Sequence, residues 1–380
     1  MDNKRRYNFN KPSQNQDPFD IEFLKQEIGL RFPFYDMRIM GDHVAFYCQI
    51  DKSIENVQFD NIRKSLSTQG YIPLLRHEHG EDVIYVIKKP LRKEKSKWLN
   101  FILLIATIIT TILTGSLLNI GVNDLQSLEN IMEVLYPENL FYGMIFFSFP
   151  LLSILAIHEM GHYFVSKRHG IHTSLPFFIP IPPILPGFNI GTFGALISSH
   201  DPMPNKKALF DVGISGPLAG FIVAVPVTII GLMSSEFVEV SSVTQGEILL
   251  GSSLLFELLS MVFVSIPNGY ALTLNPVAFA GWIGLLITSI NLLPAGQLDG
   301  GHIFRSILGD KQKYAGYIAV FIMIFTGWVF FAILIIFLIG MNHPPPLNDE
   351  GTLDLKRRLL FIVAISILIL CYIPYPILSL

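Results

Sequence analysis

Hydrophobic and polar positions change their period partway along the chain. From Phe19 to about Lys89 the pattern is amphipathic and short in range. "FDIEFLKQEIGL" puts Ile21, Leu24, Ile28 and Leu30 near one face of a helix. "DHVAFYCQI" alternates as a strand does. "VQFDNIRKSLSTQG" predicts a helix stopped by Gly70, and "YIPLLRHEHGEDVIYVIKK" a hairpin turning at Gly80. These elements predict a small α+β domain over residues 19–90, a normal domain size. Past the basic run "KKPLRKEKSKW" the apolar runs lengthen toward the roughly 20 residues that cross a bilayer. Six spans are expected: Trp98–Ile120, Leu140–Phe164, Ala208–Met233, Leu272–Leu293, Ala315–Ile339 and Leu359–Ile377. Pro374 and Pro376 argue that the last one loses its helix before its end. "EILLGSSLLFELLSMVFV" is shorter, carries Glu257, and predicts an interfacial or re-entrant helix.

One apolar stretch cannot be helical. "SLPFFIPIPPILPGFNIGTFGALISSH" holds Pro176, Pro180, Pro182, Pro183 and Pro186, and "FNIGTFGALISS" has strand-like composition with glycines at bends. It predicts a membrane-associated β-hairpin, with a loop lying on the bilayer as the plainer reading. The whole pattern is that of a polytopic α-helical membrane protein, with about six transmembrane helices and one β-hairpin, preceded by a small soluble α+β domain. Residues 97–380 would be the membrane domain.

Composition agrees. The 380 residues are 51% hydrophobic and 15% charged, and the mean hydropathy is +0.49. A net charge of −3 gives no reason to expect a nucleic-acid partner. Cys48 and Cys371, the two cysteines, form no metal or disulfide framework. The first 18 residues are polar, lack an apolar h-region, and are expected to be a disordered lead rather than a signal peptide. Lysine and arginine in short loops then orient the spans. Arg92 to Lys97 put the N-terminal domain in the cytoplasm, and Lys167, Arg168, Lys206, Lys207, Arg305, Lys311 and Lys313 fall on the same side. The acidic loops around Glu129 and Glu236 lie outside. Lys356, Arg357 and Arg358 also fall outside, against the rule. With no targeting peptide, a prokaryotic cell membrane is the simplest expected location.

Within the second span stands HEMGH. His158 and His162 are spaced i, i+4 and share a helical face; Glu159 follows the first of them. Two neutral imidazoles with an adjacent carboxylate suit a zinc ion and a general base. Ionisable groups in a membrane helix are costly without a partner or a function. His158 lies about 14 Å before Lys167, in the cytoplasmic half of the span. Such a site wants a third ligand. The fourth span ends in "NLLPAGQLDGGH", where Pro294 should break the helix at the same depth. That leaves Asp299 as the candidate, with His302 as its competitor. His77 and His79 read as a solvated hairpin tip rather than a metal pair.

Together, His158, Glu159 and His162 with Asn291, Pro294, Asp299 and Gly300 resemble the site-2 protease family of intramembrane zinc metalloproteases, whose motifs are HExxH and NxxPxxxxDG. "ALFDVGISGPLAG", with Asp211, Gly213, Gly216, Pro217 and Gly220, is similar to the family's glycine-rich core helix. The resemblance covers about residues 140–310. It implies one Zn²⁺ per chain held by His158, His162 and Asp299, with Glu159 as catalytic base. It also implies cleavage of membrane-anchored proteins near the cytoplasmic side of the bilayer, as in regulated intramembrane proteolysis. Asn291, Gly194 and Gly216 are candidates for contacting substrate or backing the ligands, Gly216 also by close helix packing with Gly220. A metal-ion transporter would spread acidic and imidazole groups over several spans, and a catalytically silent membrane scaffold would have lost the base or a ligand. Neither pattern is present.

Overall fold

A computed structural model describes residues 19–90, 97–121, 128–183, 190–199, 201–240, 249–375 and 377–378. The lead over residues 1–18 and residues 91–96 of the basic run lie outside the described residues.

The first unit runs α1 (Ile21–Gly29), β1 (Phe34–Ile39), β2 (His43–Cys48), α2 (Glu55–Thr68), β3 (Tyr71–Glu78) and β4 (Glu81–Lys88). The strands form one antiparallel sheet in the order β1-β2-β4-β3. Asp20 caps α1 by accepting the Phe23 N–H. His79 and Gly80 both take positive φ, 53° and 85°, as a tight two-residue hairpin turn requires. Leu24, Ile28, Phe59, Ile62 and Leu66 of the helices meet Val44, Phe46, Ile84 and Val86 of the sheet in one core. Leu347, from far along the chain, completes that core at 3% exposure. The hydrophobic pattern gives no signal for β1, because no residue of that edge strand is fully buried.

The membrane part opens with α3 (Lys97–Ile120), α4 (Leu128–Val134) and α5 (Pro137–Gly143). α5 continues through a π turn (Met144–Ser148) into α6 (Phe149–Arg168). Pro150 has no N–H for the carbonyl one turn back, and the π turn before it absorbs the mismatch. β5 (Phe177–Pro180) and β6 (Thr192–Leu196) pair antiparallel, as the strand-like composition predicts. After them come α7 (Lys206–Met233), β7 (Glu236–Glu239), β8 (Leu249–Leu250), α8 (Leu254–Phe263), β9 (Tyr270–Thr273) and α9 (Pro276–Asn291). The chain ends with α10 (Asp299–Leu308), α11 (Gln312–Phe325), α12 (Val329–Leu334) with a π turn to Ile339, α13 (Leu355–Cys371) and β10 (Ile377–Leu378).

Among the described residues three helices are long and apolar enough to cross a membrane: Trp98–Ile120, Pro137–Arg168 and Lys206–Met233. Of the six expected continuous spans three are borne out among the described residues, and the departures of the others have physical causes. α9 is 16 residues long because Tyr270–Thr273 pairs with β7 instead of extending the helix. The span expected over Ala315–Ile339 is broken at Thr326–Trp328. Gly327 there takes φ 80°, a left-handed helix stop. The turn is fixed by Thr326 Oγ1 to the Tyr372 hydroxyl at 2.5 Å and by the Trp328 indole N–H donating to the Ile373 carbonyl at 2.7 Å. α11 and α12 are thus a hairpin, not one rod. α13 starts earlier than expected, at Leu355 on the Asp354 cap, and stops at Cys371, three residues before Pro374.

The bundle consequently has two distinct ends. Lys89 bonds Asp201 at 2.7 Å, and the Leu75 N–H bonds the Leu347 carbonyl at 2.9 Å, so the first unit docks where α7 begins and α10 ends. Arg357, at the start of α13, pairs with Asp211, at the start of α7. The α11–α12 turn meets the last residues of the chain at the far end, beside β8 and β10. Burial alone would raise the Asp201 pKa, yet the hydrogen bonds from Lys89 and His172 outweigh it and hold the carboxyl below its ordinary value. A depressed carboxylate pKa adds stability above the unfolded value and loses it as pH falls, so this latch weakens only in acid.

α7 and α9 cross at very short range. A Cβ on Gly231 would lie 2.2 Å from the Ala278 nitrogen. Gly231→Ala is expected to destabilise the fold by about 1–3 kcal/mol, as overpacked cores do. Thermal unfolding in detergent checks this, and an unchanged midpoint would contradict the crossing.

Candidate metal centre

HEMGH lies on α6 where the helix is covered on its polar face. His158, Glu159 and His162 are 4%, 6% and 8% exposed. α7 packs directly over the imidazoles, and its glycines are the reason it can. A Cβ on Gly216 would sit 2.0 Å from His162 Nε2, and one on Gly220 would sit 3.1 Å from the His158 Cβ. The Val212 carbonyl, one turn back on α7, accepts the His162 Nδ1–H at 2.8 Å. That bond fixes the tautomer and leaves the Nε2 lone pair facing inward.

The third group arrives from irregular backbone. α9 stops at Asn291, three residues ahead of Pro294, and α10 begins at Asp299. The turn between them folds onto α10 at glycine contacts. Cβ atoms on Gly300 and Gly301 would lie 2.0 Å from the Leu292 carbonyl oxygen and 2.2 Å from that of Gly296. The buried side chain of Gln312 donates to the Pro294 carbonyl at 2.7 Å, satisfying a group the broken helix frees. Asp299 is thereby delivered to the two histidines.

The resulting distances are those of a coordination site. His158 Nε2 lies 3.2 Å from His162 Nε2 and 3.3 Å from Asp299 Oδ2, and His162 Nε2 lies 3.2 Å from the same oxygen. A tetrahedral zinc with bonds of about 2.0–2.2 Å spaces its ligand atoms about 3.3–3.6 Å apart. Three acceptor atoms at this spacing fit the ion's donor set. Among the described residues this is the one group of three or more His, Cys, Asp or Glu side chains able to hold a metal. Glu159 stands beside it, and its carboxylate meets no hydrogen-bond donor among the described residues.

The other candidates fall as follows. Asn291 Nδ2 is 3.4 Å from His158 Nε2, at the edge of the cluster. Gly216 forms its back wall. Gly194 belongs to β6, with φ 91° and open space where a Cβ would be. It sits in the hairpin and not among the ligands. His302, the competitor for the third position, lies outside the cluster. Its Cβ abuts Gly213, and its Nδ1 meets His343 Nε2 at 2.6 Å. His343 carries no sequence signal, since it stands alone in "MNHPPPLNDE". His77 bonds Asp82 at 2.7 Å on the exposed hairpin and joins no metal group.

The hairpin beside the site follows α3. Asn100 Nδ2 holds the Leu175 carbonyl at 2.7 Å, and Thr110 Oγ1 holds that of Gly191 at 2.7 Å. Ten residues of α3 separate these contacts, so the hairpin descends about 15 Å along that helix.

The model of peptidase family M50 matches residues 146–335, half of the chain. The chain is 31% identical over 248 residues to "Probable zinc metalloprotease EGY1, chloroplastic" of Oryza sativa subsp. japonica, covering 60% of this chain and 40% of the relative. It is 31% identical over 230 residues to "Probable zinc metalloprotease EGY2, chloroplastic" of Arabidopsis thaliana, covering 59% and 40%. The chain thus spans about two-fifths of the length of these relatives. No solved structure matches it. The relatives are named chloroplastic, which corrects the prokaryotic cell membrane expected from the absence of a targeting peptide.

Because the Gly216 Cβ position collides with His162 Nε2, Gly216→Ala should expel the His162 ring from its place. The expected outcome is loss of bound zinc by elemental analysis, with a much smaller loss in Gly220→Ala. Equal zinc in both variants and the wild type would contradict the packing described.

Proposed function

The chain belongs to peptidase family M50, the site-2 protease family, and from that premise we propose that it is an intramembrane zinc endopeptidase acting on membrane-anchored proteins. The observation that carries the reading is the triangle of His158, His162 and Asp299 at 3.2–3.3 Å with Glu159 beside it.

His158, His162 and Asp299 would hold the ion. When bound, zinc supplies Lewis acidity, polarising a peptide carbonyl and making water acidic near neutral pH. Glu159 takes the proton from the attacking water and returns it to the leaving amine. Asn291, at the rim of the cluster, either steadies His158 or donates to the substrate backbone. Burial of the site limits water to what the chemistry needs.

A helical substrate hides its peptide bonds, so cleavage needs a locally extended chain. The β5–β6 hairpin offers a strand edge for one. Its support is position, since it runs along α3 at membrane depth, with Phe193 and Leu196 of β6 exposed. Gly194 lies in that strand, consistent with a role near substrate backbone.

Residues 19–90 are read as a separate regulatory or substrate-selecting domain and 97–380 as the protease domain, with its core over about 140–310. The metal cluster sits in the half of α6 nearer that N-terminal domain, which supports cleavage toward the domain's side of the bilayer. With α11 and α12 as a returning hairpin, Lys356, Arg357 and Arg358 also come to that side, and the one departure from the loop-charge rule disappears.

Two experiments test this reading. In detergent, purified wild type is expected to carry zinc and cleave members of a panel of single-span substrates. Glu159→Gln should keep zinc and lose about 10²–10⁴-fold in rate, while Asp299→Asn should lose zinc. Cleavage by Glu159→Gln, or a wild type without zinc, would sink the assignment. For topology, cysteines at Lys356 and Lys64 should react with an impermeant maleimide from one side of sealed vesicles and a cysteine at Glu239 from the other. Labelling of the 356 and 239 positions from a common side would refute it.

A further inference from the structure

Residues 341–350, between α12 and α13, lack a helix or strand of their own. Half of them are nonetheless buried, among them Met341 at 8% exposure, His343 at 6%, Leu347 at 3% and Asn348 at 0%. Pro344, Pro345 and Pro346 stiffen the segment by fixing φ. Its contacts go to three separate parts of the molecule. Toward the N-terminal domain, Leu347 enters the core and its carbonyl accepts the Leu75 N–H at 2.9 Å. The Asn348 side-chain amide donates to Glu55 Oε1 at 2.9 Å, between two buried residues. Toward α7, the Leu347 and Asn348 N–H groups bond the Met203 and Pro204 carbonyls at 2.8 and 2.9 Å.

The third set of contacts falls on α10, the helix that Asp299 begins. His343 meets His302 at 2.6 Å, and Asp349 Oδ2 meets Arg305 Nη2 at 2.5 Å. Arg305 is 2% exposed, and its Nε and Nη1 atoms have no hydrogen-bond partner. Asp349 at 2.5 Å, with Asp310 more distant at 3.4 Å, therefore carries the neutralisation of a buried guanidinium. The segment's start also abuts the turn ahead of Asp299, because a Gly296 Cβ would lie 2.1 Å from the Gly340 carbonyl oxygen. α10 is thus gripped at positions three and six residues after Asp299 by a stiff strap whose opposite side is part of the N-terminal domain.

We propose that residues 341–350 are a positioning strap through which the N-terminal domain sets the Asp299 carboxylate, with Asn348 receiving the domain and the Asp349–Arg305 pair holding α10. The proposal rests on the reading of Asp299 as the third metal ligand. Groups that orient ligands from behind govern metal affinity, and a site must be held to about 0.5 Å to work. Loosening the domain's grip on Asn348 therefore weakens zinc retention, although neither Asn348 nor Glu55 touches the cluster.

The test uses the full chain in detergent. Asn348→Asp keeps the oxygen that accepts the Glu350 N–H but turns a carboxylate toward Glu55. Expected are loss of amide-exchange protection over residues 341–350 and about 10–100-fold faster zinc transfer to a chelator. Adding Glu55→Gln restores a donor to the pair and should return both quantities toward wild type. A strap that loses protection while zinc transfer stays at the wild-type rate overturns the proposal. So does a double variant that regains protection but not zinc retention. Asp349→Asn, which keeps the shape and removes the charge facing Arg305, should speed zinc transfer while leaving exchange at Leu75 unchanged; an unchanged transfer rate counts against the strap. Asp299→Asn is measured in parallel. If it leaves zinc transfer unaltered, the ligand reading falls and the proposal with it. If it speeds transfer while Asn348→Asp does not, only the strap falls.

Discussion

Two imidazole nitrogens and a carboxylate oxygen, 3.2–3.3 Å apart and buried, turn lone pairs toward one another and need a proton or a metal cation between them. In a membrane interior there is little water to meet that need. The rest of the structure is arranged to make this unfavourable cluster and to hold it open to a metal. α7 brings glycine against both histidines so that a second helix can close the cluster without displacing it. The Val212 carbonyl selects the imidazole tautomer whose lone pair faces inward. α9 ends early so that Asp299 can approach from backbone that is not helical.

That approach carries its own cost, because a helix broken at membrane depth frees carbonyls that must find partners. They find them locally. Gln312 serves the Pro294 carbonyl, and α10 packs its first turn so closely on the preceding loop that only glycine fits at positions 300 and 301. The loop is therefore closely packed against the helix it precedes, which suits a segment that places one oxygen.

The bundle is polar along its axis. At the near end a network of charges ties the catalytic helix to its surroundings. Arg63 of α2 lies at the C-terminus of α6, 3.4 and 3.5 Å from the His169 and Gly170 carbonyls, where a cation opposes the helix dipole. His169 in turn bonds Asp211 at 2.9 Å, next to the residue that orients His162. Arg357 binds the same carboxylate. The far end carries short strand pairs and the α11–α12 turn. This asymmetry places the metal cluster, residues 341–350 and the N-terminal domain within one contiguous region.

Local sequence determined the elements whose signal is local. The i, i+4 histidines of α6, the alternation in β2 and β4, the Gly80 turn and the long apolar helices α3, α6 and α7 follow from period and propensity. The motif after Pro294 was legible because proline removes a donor wherever it stands. What needed the tertiary structure were features set by contacts between distant residues. α9 and β9 divide where β7 offers a partner strand. Gly327 stops a helix that apolarity alone would extend, and its turn is fixed by Tyr372 and Ile373. His302 could rival Asp299 on composition, but α10 turns it against Gly213 and His343. Leu347 and Asn348, with nothing in their neighbourhood to mark them, fill the core of a domain nearly 300 residues away. Periodicity reports which face of an element is apolar; it carries no information about which element will cover that face, because that is decided by long-range packing.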